Sequence, residues 1–267
     1  MSHNTIEDNV LCHIDERGVA TVTLNRPEVH NAFDDKLIAR LTQIFKQLGQ
    51  DKKVRVMVLA AKGKSFCAGA DLNWMKRMAS YSYQQNLADA NALANMLLVL
   101  NTLAKPTIAR VQGAAFGGAV GLIACCDMAV GSKLSKFCLS EVKLGLIPAT
   151  ISPYVVDAIG ARLARRYFTT AEVFSSRRAR RIGLLSEAVT EEELDSTIED
   201  LISHILANGP LAVAAAKQLI FDIQGSQTDE ELVEKTSLRI ATTRVSQEGQ
   251  EGLSAFLQKR RPNWFIS

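Results

Sequence analysis

The chain has 267 residues, of which 47% are hydrophobic and 22% are charged, and its formal net charge is +3. This composition is typical of a folded globular protein, and so slight a basic excess does not indicate a nucleic-acid-binding protein. The first ten residues lack the pattern of a signal peptide, and no segment has the length and apolarity of a membrane span. We therefore expect a protein of the cytoplasm or of an organelle matrix, without a membrane partner.

The cysteines and histidines do not form a recognisable metal or disulfide pattern. There are five cysteines, an odd number, and no C-x-x-C spacing occurs, so we expect buried free thiols. The four histidines are scattered along the chain without H-x-x-x-H spacing, which predicts no metal site.

The N-terminal part begins with a predicted hairpin and continues with a helix and a strand. Residues 10–14 and 19–24 form the hairpin around a turn that ends at Gly18. Apolar residues recur at helical spacing over residues 34–48. The nearly unbroken apolar run over residues 54–61 suits a parallel strand covered on both faces.

Helices and strands continue to alternate after this point. The pattern predicts a helix over residues 87–103, a strand over 107–111 and a helix that ends at Ala124. Two further buried strands are predicted at residues 128–130 and 136–139. This β-α-β-α-β order predicts a parallel sheet with right-handed crossovers.

From about residue 152 the chain is predicted to be almost wholly helical. Thr228 and Glu231, for example, have the spacing of a capping box ahead of an apolar periodic run. We therefore predict an α/β protein with a strand-rich core domain over residues 1–199 and a helical C-terminal segment over residues 200–267.

Two glycine-bearing loops follow predicted strands. The first, SFCAGADL, begins at Ser65, and the second, VQGAAFGGAVGL, carries Gly113, Gly117 and Gly118 in front of a helix. Small residues let a ligand approach the backbone, and a helix N-terminus offers free N–H groups. Two such loops on adjacent strands predict two N–H donors aimed at one oxygen, which is an oxyanion hole. Tight packing of the strand ends against helices is the alternative.

Several spaced motifs resemble the crotonase superfamily, which comprises the enoyl-CoA hydratases and isomerases and their relatives. SFCAGADL, KPTIARVQGAAFGGAVGLIACCD and FCLSEVKLGLIPA stand in the family's order, and NRPEVHNAF and FLQKRRPNWF near the two ends are also similar. The resemblance implies a crotonase-like ββα-superhelix whose C-terminal helices assemble homotrimers or hexamers. It also implies an acyl-CoA thioester substrate, with no cofactor beyond the coenzyme A that the substrate itself carries.

The resemblance also assigns roles to residues of this chain. The N–H groups of Ala70 and Gly118 would form the oxyanion hole and stabilise a thioester enolate, and Glu141 would move the proton. For Arg26, contact with a CoA phosphate and a solvated loop position are both open. The residues that would line the substrate path are Arg26, Ala32, Ala68, Gly69, Asp71, Leu72, Gly117 and Gly121.

The hydratase pattern is incomplete at Gly121, where hydratases of this family carry the first of two glutamates. With Glu141 alone, the residues favour a Δ3,Δ2-enoyl-CoA isomerase, in which a single carboxylate moves a proton between C2 and C4. The wider motif similarity favours a hydratase of the bacterial methylglutaconyl-CoA type. A catalytically weakened acyl-CoA-binding protein is the third alternative.

The helix after the first loop carries the candidates for recognition of the acyl group. If the acyl chain bears a distal carboxylate, Lys76 and Arg77 are the candidate cations, with exposed helix positions as the alternative. Trp74, Met75 and Met78 have helical spacing and are predicted to pack in the core or to form the wall of an acyl pocket.

Overall fold

The computed structural model describes residues 9–265 and has nine strands and eleven α-helices within them. The strands are β1 (Val10–Ile14), β2 (Val19–Leu24), β3 (Val56–Ala61), β4 (Thr107–Val111), β5 (Ala114–Phe116), β6 (Met128–Ser132), β7 (Lys136–Cys138), β8 (Phe174–Ser175) and β9 (Glu187–Val189). The helices are α1 (Asp35–Gln50), α2 (Leu72–Met78), α3 (Tyr83–Asn101), α4 (Gly118–Ala124), α5 (Ser152–Ile159), α6 (Ala161–Thr170), α7 (Ser176–Arg181), α8 (Leu194–Leu206), α9 (Pro210–Ile223), α10 (Glu230–Val245) and α11 (Gln247–Leu257). No helix in this part of the chain is both long and apolar enough to cross a lipid bilayer.

Six strands form the main sheet in the order β1-β2-β3-β4-β6-β9. Only β1 is antiparallel to its neighbour, since it pairs with β2 in the predicted hairpin, and every other neighbouring pair is parallel. The parallel pairing predicted from the β-α-β order is confirmed. Because β3, β4 and β6 run in the same direction, their carboxyl ends lie at one edge, and both glycine-bearing loops leave from that edge.

A second sheet consists of β5, β7 and β8. Lys136–Cys138, predicted as one more buried strand, pairs with β5 and β8 in this sheet and not with the main one. Isolated bridges join Cys67 to Ala115 and Phe33 to Ala70, and they extend the second layer along the loops. Successive parts of the chain therefore contribute backbone to both layers, as a ββα-superhelix requires.

Side chains of the main sheet alternate between two cores, because successive residues of a strand point to opposite faces. In β3, Met57 and Leu59 join the larger core with α1 and α3, whereas Val56 and Val58 face the buried side of α8. The predicted domain boundary at residues 199–200 falls inside α8, a helix that packs directly against the sheet.

Several element ends differ from the prediction because of local capping. Helix α3 begins at Tyr83, four residues before its predicted start, since Ser82 and Gln85 form a capping box in front of it. The cap of α10 is Asp229 and not Thr228. The short strands β8 and β9 also interrupt a region that was predicted to be almost wholly helical.

Gly113 lies where the two glycine-bearing loops touch, and we expect Gly113→Ala to be severely destabilising. The residue has a φ of +62°, and an added Cβ would stand 1.8 Å from the backbone oxygen of Lys64. Left-handed strain and overlap with a backbone atom should together lower the free energy of unfolding by more than about 3 kcal/mol, measured by urea denaturation.

Gly145→Ala is the matched control. Gly145 has a φ of +71° but no atom within 4 Å of an added Cβ, so this substitution should carry only the conformational cost of about 1–2 kcal/mol. Equal losses in the two variants would show that the contact with Lys64 is not tight.

Candidate functional site

A cavity of about 420 Å³ opens at the carboxyl edge of β3 and β4. Residues 68–70 of the first glycine-bearing loop line one side, Gly117 and Gly118 line the next, and the segment between Ser140 and Ile151 contributes the third. The volume is within the range of small-molecule binding sites. Both loops that were predicted to carry chemistry therefore face the same space.

Backbone hydrogen bonds hold the two loops side by side. The N–H of Cys67 donates to the oxygen of Ala114 at 3.1 Å, and the N–H of Phe116 donates to the oxygen of Cys67 at 3.0 Å. Gly69 has a φ of +99°, and an added Cβ there would lie 3.2 Å from the oxygen of Phe116. Glycine at position 69 therefore lets the two loops approach each other closely, because it has no Cβ and tolerates a positive φ.

The N–H groups of Ala70 and Gly118 both belong to residues that line the cavity. Phe33 pairs with the two neighbours of Ala70: its N–H donates to Gly69 O, and its oxygen accepts from the N–H of Asp71, both at 2.7 Å. In a parallel bridge of this kind the N–H of Ala70 points away from Phe33. Gly118 is the first residue of α4, where N–H groups have no intrahelical acceptor. In the part of the chain that the structure describes, neither N–H has a hydrogen-bond acceptor.

Glu141 follows β7 and begins a short 3₁₀-helix, Glu141–Leu144. Its Oε1 atom lies 3.3 Å from the position that a Cβ on Gly117 would take, and its Oε2 atom is buried with no hydrogen-bond partner among the described residues. Burial raises the pKa of the Glu141 carboxyl, and a hydrogen bond from its own backbone N–H only partly opposes this shift. A carboxylate with one unpaired oxygen and a raised pKa, in the same cavity as two free N–H groups, is suited to proton transfer.

Gly121 does not line the cavity, although it was predicted to lie on the substrate path. It is buried in α4, and an added Cβ would stand 2.2 Å from Cγ2 of Ile151 and 2.7 Å from its Cβ. Ile151 itself lines the cavity. An apolar side chain therefore fills the space into which a glutamate at position 121 would project.

Arg26 joins the loops around the site through contacts with protein groups. Its guanidinium donates to Ala32 O at 2.8 Å and forms ion pairs with Asp34 at 3.0 Å and Asp71 at 3.1 Å, with only 14% of the side chain exposed. Asp71 also caps α2 by accepting two backbone N–H groups. Burial would raise the pKa of Asp71, but these hydrogen bonds and the Arg26 charge outweigh it and lower that pKa. Ala32 and Asp71 thus support the loops from behind the cavity.

The side of the cavity formed by α2 and α3 is apolar. Arg77 is paired with Asp35 of α1, and Lys76 is exposed, so neither of these candidate cations lines the cavity. Among the described residues that do line it, Glu141 carries the only charge. The apolar side chains contributed by α2 and α3 are Leu72, Trp74, Met75, Met78 and Leu93.

Phe33 and Ile151 are among the residues of the site that were not predicted from the sequence. Phe33, which holds the Ala70 loop, is part of the NRPEVHNAF motif, so the motif itself was the available signal. Ile151 packs against Gly121 from a distant part of the chain, and no spacing rule connects the two positions.

Comparison with known proteins gives consistent matches over nearly the whole chain. The family model described as enoyl-CoA hydratase/isomerase matches residues 15–265. The crystal structure of an enoyl-CoA hydratase from Shewanella pealeana superposes with a TM-score of 0.93 at 45% identity and covers 96% of each chain. A crotonyl-CoA hydratase from Syntrophomonas wolfei is 30% identical over 97% of this chain and 98% of its own. The 1,2-epoxyphenylacetyl-CoA isomerase of Escherichia coli is 31% identical over 96% of this chain and 97% of its own.

Arg26→Gln should lower stability without a selective effect on phosphate recognition. Breaking a largely buried ion pair leaves Asp34 and Asp71 uncompensated, so we expect the free energy of unfolding to fall by about 3 kcal/mol. The ratio of the dissociation constants for CoA and 3′-dephospho-CoA, measured by calorimetry, should remain that of the unmodified protein.

The control is Arg177→Gln, because Arg177 is exposed on α7 and its loss should change stability by less than about 0.5 kcal/mol. If Arg26→Gln kept full stability and selectively lost affinity for CoA over dephospho-CoA, the supporting role of Arg26 would be refuted.

Glu141→Gln should stabilise the protein in a pH-dependent way. Because burial raises the pKa of Glu141 in the folded state, folding favours the protonated form. The stability that this proton provides is fully present below the unfolded pKa of about 4.3 and is lost as the pH rises through the folded pKa. The variant's free energy of unfolding minus that of the unmodified protein should therefore increase from pH 4 to pH 8. A difference that is flat, or that falls with pH, would contradict the raised pKa.

Proposed function

Because the chain belongs to the enoyl-CoA hydratase/isomerase family, we propose that it is a Δ3,Δ2-enoyl-CoA isomerase for apolar acyl chains. The observation that carries this proposal is that, among residues 9–265, Glu141 is the single carboxylate that lines the cavity. It shares the cavity with the two free N–H groups, and Ile151 fills the space toward position 121. A proton shift within the substrate needs one group that accepts and returns a proton.

The reaction begins when the thioester oxygen accepts hydrogen bonds from the N–H groups of Ala70 and Gly118. The Glu141 carboxylate then removes a proton from C2 of a 3-enoyl thioester, and the electron pair delocalises onto the thioester oxygen as a dienolate. The two N–H donors stabilise that oxygen, each by roughly 3 kcal/mol in comparable sites. The protonated Glu141 returns the proton to C4, so the double bond moves from C3–C4 to C2–C3 and the carboxylate is regenerated.

The lining of the cavity supports an apolar acyl chain. A distal carboxylate on the substrate would lose its hydration against Leu72, Met75 and Met78, and burial of an unpaired charge is strongly unfavourable. The methylglutaconyl-type substrate indicated by the motifs therefore fits this cavity less well than a hydrocarbon chain. The two methionines are flexible and can adapt to chains of different shape.

Hydration of a 2-enoyl thioester is the second candidate, and the similarity to the hydratases from Shewanella pealeana and Syntrophomonas wolfei favours it. Hydration requires a base for the attacking water and a proton for C2. In this cavity both tasks would fall on Glu141, which is why isomerisation has the stronger support.

The proposed reaction uses no cofactor, since coenzyme A is part of the substrate and the proton moves within it. We also propose that copies of the chain cover the C-terminal helices in a homotrimer or hexamer. This proposal is supported by large apolar side chains that α9, α10 and α11 leave exposed in the single chain. Among them are Leu211, Ile220, Leu238, Val245, Phe256 and Leu257.

The test is a comparison of three substrates with the unmodified protein and Glu141→Gln. We expect turnover of 3-hexenoyl-CoA, seen as a gain of 2-enoyl thioester absorbance, and much slower loss of that absorbance with crotonyl-CoA or 3-methylglutaconyl-CoA. Glu141→Gln should lower kcat/KM for isomerisation by about 10²- to 10⁴-fold, because the amide cannot accept the proton.

Glu192→Gln is the matched control, since Glu192 is exposed in the turn before α8 and does not line the cavity, so the substitution should leave the rate unchanged. Faster hydration than isomerisation would establish the second candidate. Absence of turnover on all three substrates would contradict the enzyme proposal and favour an acyl-CoA-binding protein. If Glu141→Gln isomerised at the rate of the unmodified protein, the proposed role of Glu141 would be refuted.

A further inference from the structure

Glu141 and Ile151 are neighbours along the start of α4. Gly117 is the N-cap residue of this helix and Gly121 lies four positions later, so the two glycines are about 6 Å apart along the helix axis. Glu141 contacts the first glycine, and Ile151 contacts the second. The carboxylate and the isoleucine side chain therefore lie against positions of α4 that are about one helical turn apart, and both line the same cavity.

The side chain of Ile151 is firmly held in this position. Only 1% of the residue is exposed, and its backbone oxygen accepts the N–H of Val155 at 3.1 Å as α5 begins. Both Cγ2 and Cβ of Ile151 lie within 3 Å of the place where a Cβ on Gly121 would stand. A larger residue at position 121 would thus overlap the branch point of the isoleucine, which a rotation of its side chain does not remove.

A carboxylate at the position of Ile151 would change the chemistry that the site can perform. Addition of water to a 2-enoyl thioester forms a C3–O bond and a C2–H bond, while the water loses a proton to a base. Two carboxyl groups about one helical turn apart have room to hold a single water between them. An isoleucine side chain offers that water no hydrogen bond, and a water needs two to four polar partners to be held.

We propose that Ile151 is the specificity-determining residue of this site: it keeps a second carboxylate, and the water that such a group would hold, away from Glu141. The site is thereby restricted to proton transfer within the acyl chain. This inference rests on the proposed function and adds the feature that separates isomerisation from hydration in this chain.

The first experiment asks whether Ile151 occupies the space that a side chain at position 121 needs. Gly121→Glu alone should lose thermal stability or fail to fold, and the double variant Gly121→Glu/Ile151→Gly should recover much of the loss. Glycine is required at position 151, because alanine would keep the Cβ that stands 2.7 Å from the new side chain. If Gly121→Glu alone melts at the temperature of the unmodified protein, the inference is overturned.

The second experiment introduces a carboxylate without any change at Gly121. Ile151→Asp and its neutral counterpart Ile151→Asn have nearly the same shape, so they differ in the charge and proton affinity of the group beside Glu141. We expect the ratio of crotonyl-CoA hydration to 3-hexenoyl-CoA isomerisation to be at least about tenfold higher in the Asp variant than in the Asn variant, the lower end of a general-base contribution.

The same comparison applies to Gly121→Glu/Ile151→Gly and Gly121→Gln/Ile151→Gly. The ratio of hydration to isomerisation should again be higher in the variant with the glutamate than in the variant with the glutamine. Equal ratios within the Asp and Asn pair would overturn the role of Ile151, whether or not the double variants fold. Isomerisation by the unmodified protein and its loss in Glu141→Gln test the proposed function separately, so failure of one conclusion is distinguishable from failure of the other.

Discussion

The site depends on the backbone pairing of Phe33 with the loop that follows β3. By binding the residues on either side of Ala70, Phe33 leaves the N–H of Ala70 unused and turns it away from the bridge. The ring of the same residue lies against Gly118, where an added Cβ would come within 3.2 Å of it. One residue therefore contacts the segments that carry both donors of the proposed oxyanion hole.

A buried polar network fixes Phe33 in its place. Asn31 is fully buried, and its side chain donates to the oxygens of Lys62 and Ser65 at 2.8 and 2.9 Å while accepting the N–H of Arg26. Asn31 has a φ of +55°, a strained conformation for a residue with a side chain, and these hydrogen bonds hold it there. Rigid donors reorganise little as charge develops on the substrate, which is the condition under which an oxyanion hole is effective.

The features that were predicted from the sequence are those that local pattern determines. The bounds of β1, β2 and β4 agree with the prediction, because alternation and continuous apolar runs reflect which faces of a strand are buried. The two loops were found because glycine marks places where a backbone approaches another group. The partners of Arg26 and the contact between Ile151 and Gly121 were not predictable in this way. Asp71 and Ile151 lie 45 and 30 residues from Arg26 and Gly121, and a single arginine or isoleucine in a sequence does not reveal what it will touch.

Two carboxyl groups close to the cavity are given opposite properties by their surroundings. Asp71 accepts hydrogen bonds from two backbone N–H groups and forms an ion pair with Arg26, and these interactions lower its pKa. Asp71 therefore stays charged, and its contacts persist. Glu141 has a buried oxygen without a partner among residues 9–265, and burial raises its pKa, so it is poised to exchange a proton. A hydrogen-bond donor placed beside Glu141 would make the folded protein more stable, but it would also hold the carboxylate in its charged form and weaken it as a base. The unpaired oxygen therefore lowers stability but leaves the carboxyl able to accept a proton, as the proposed isomerisation requires.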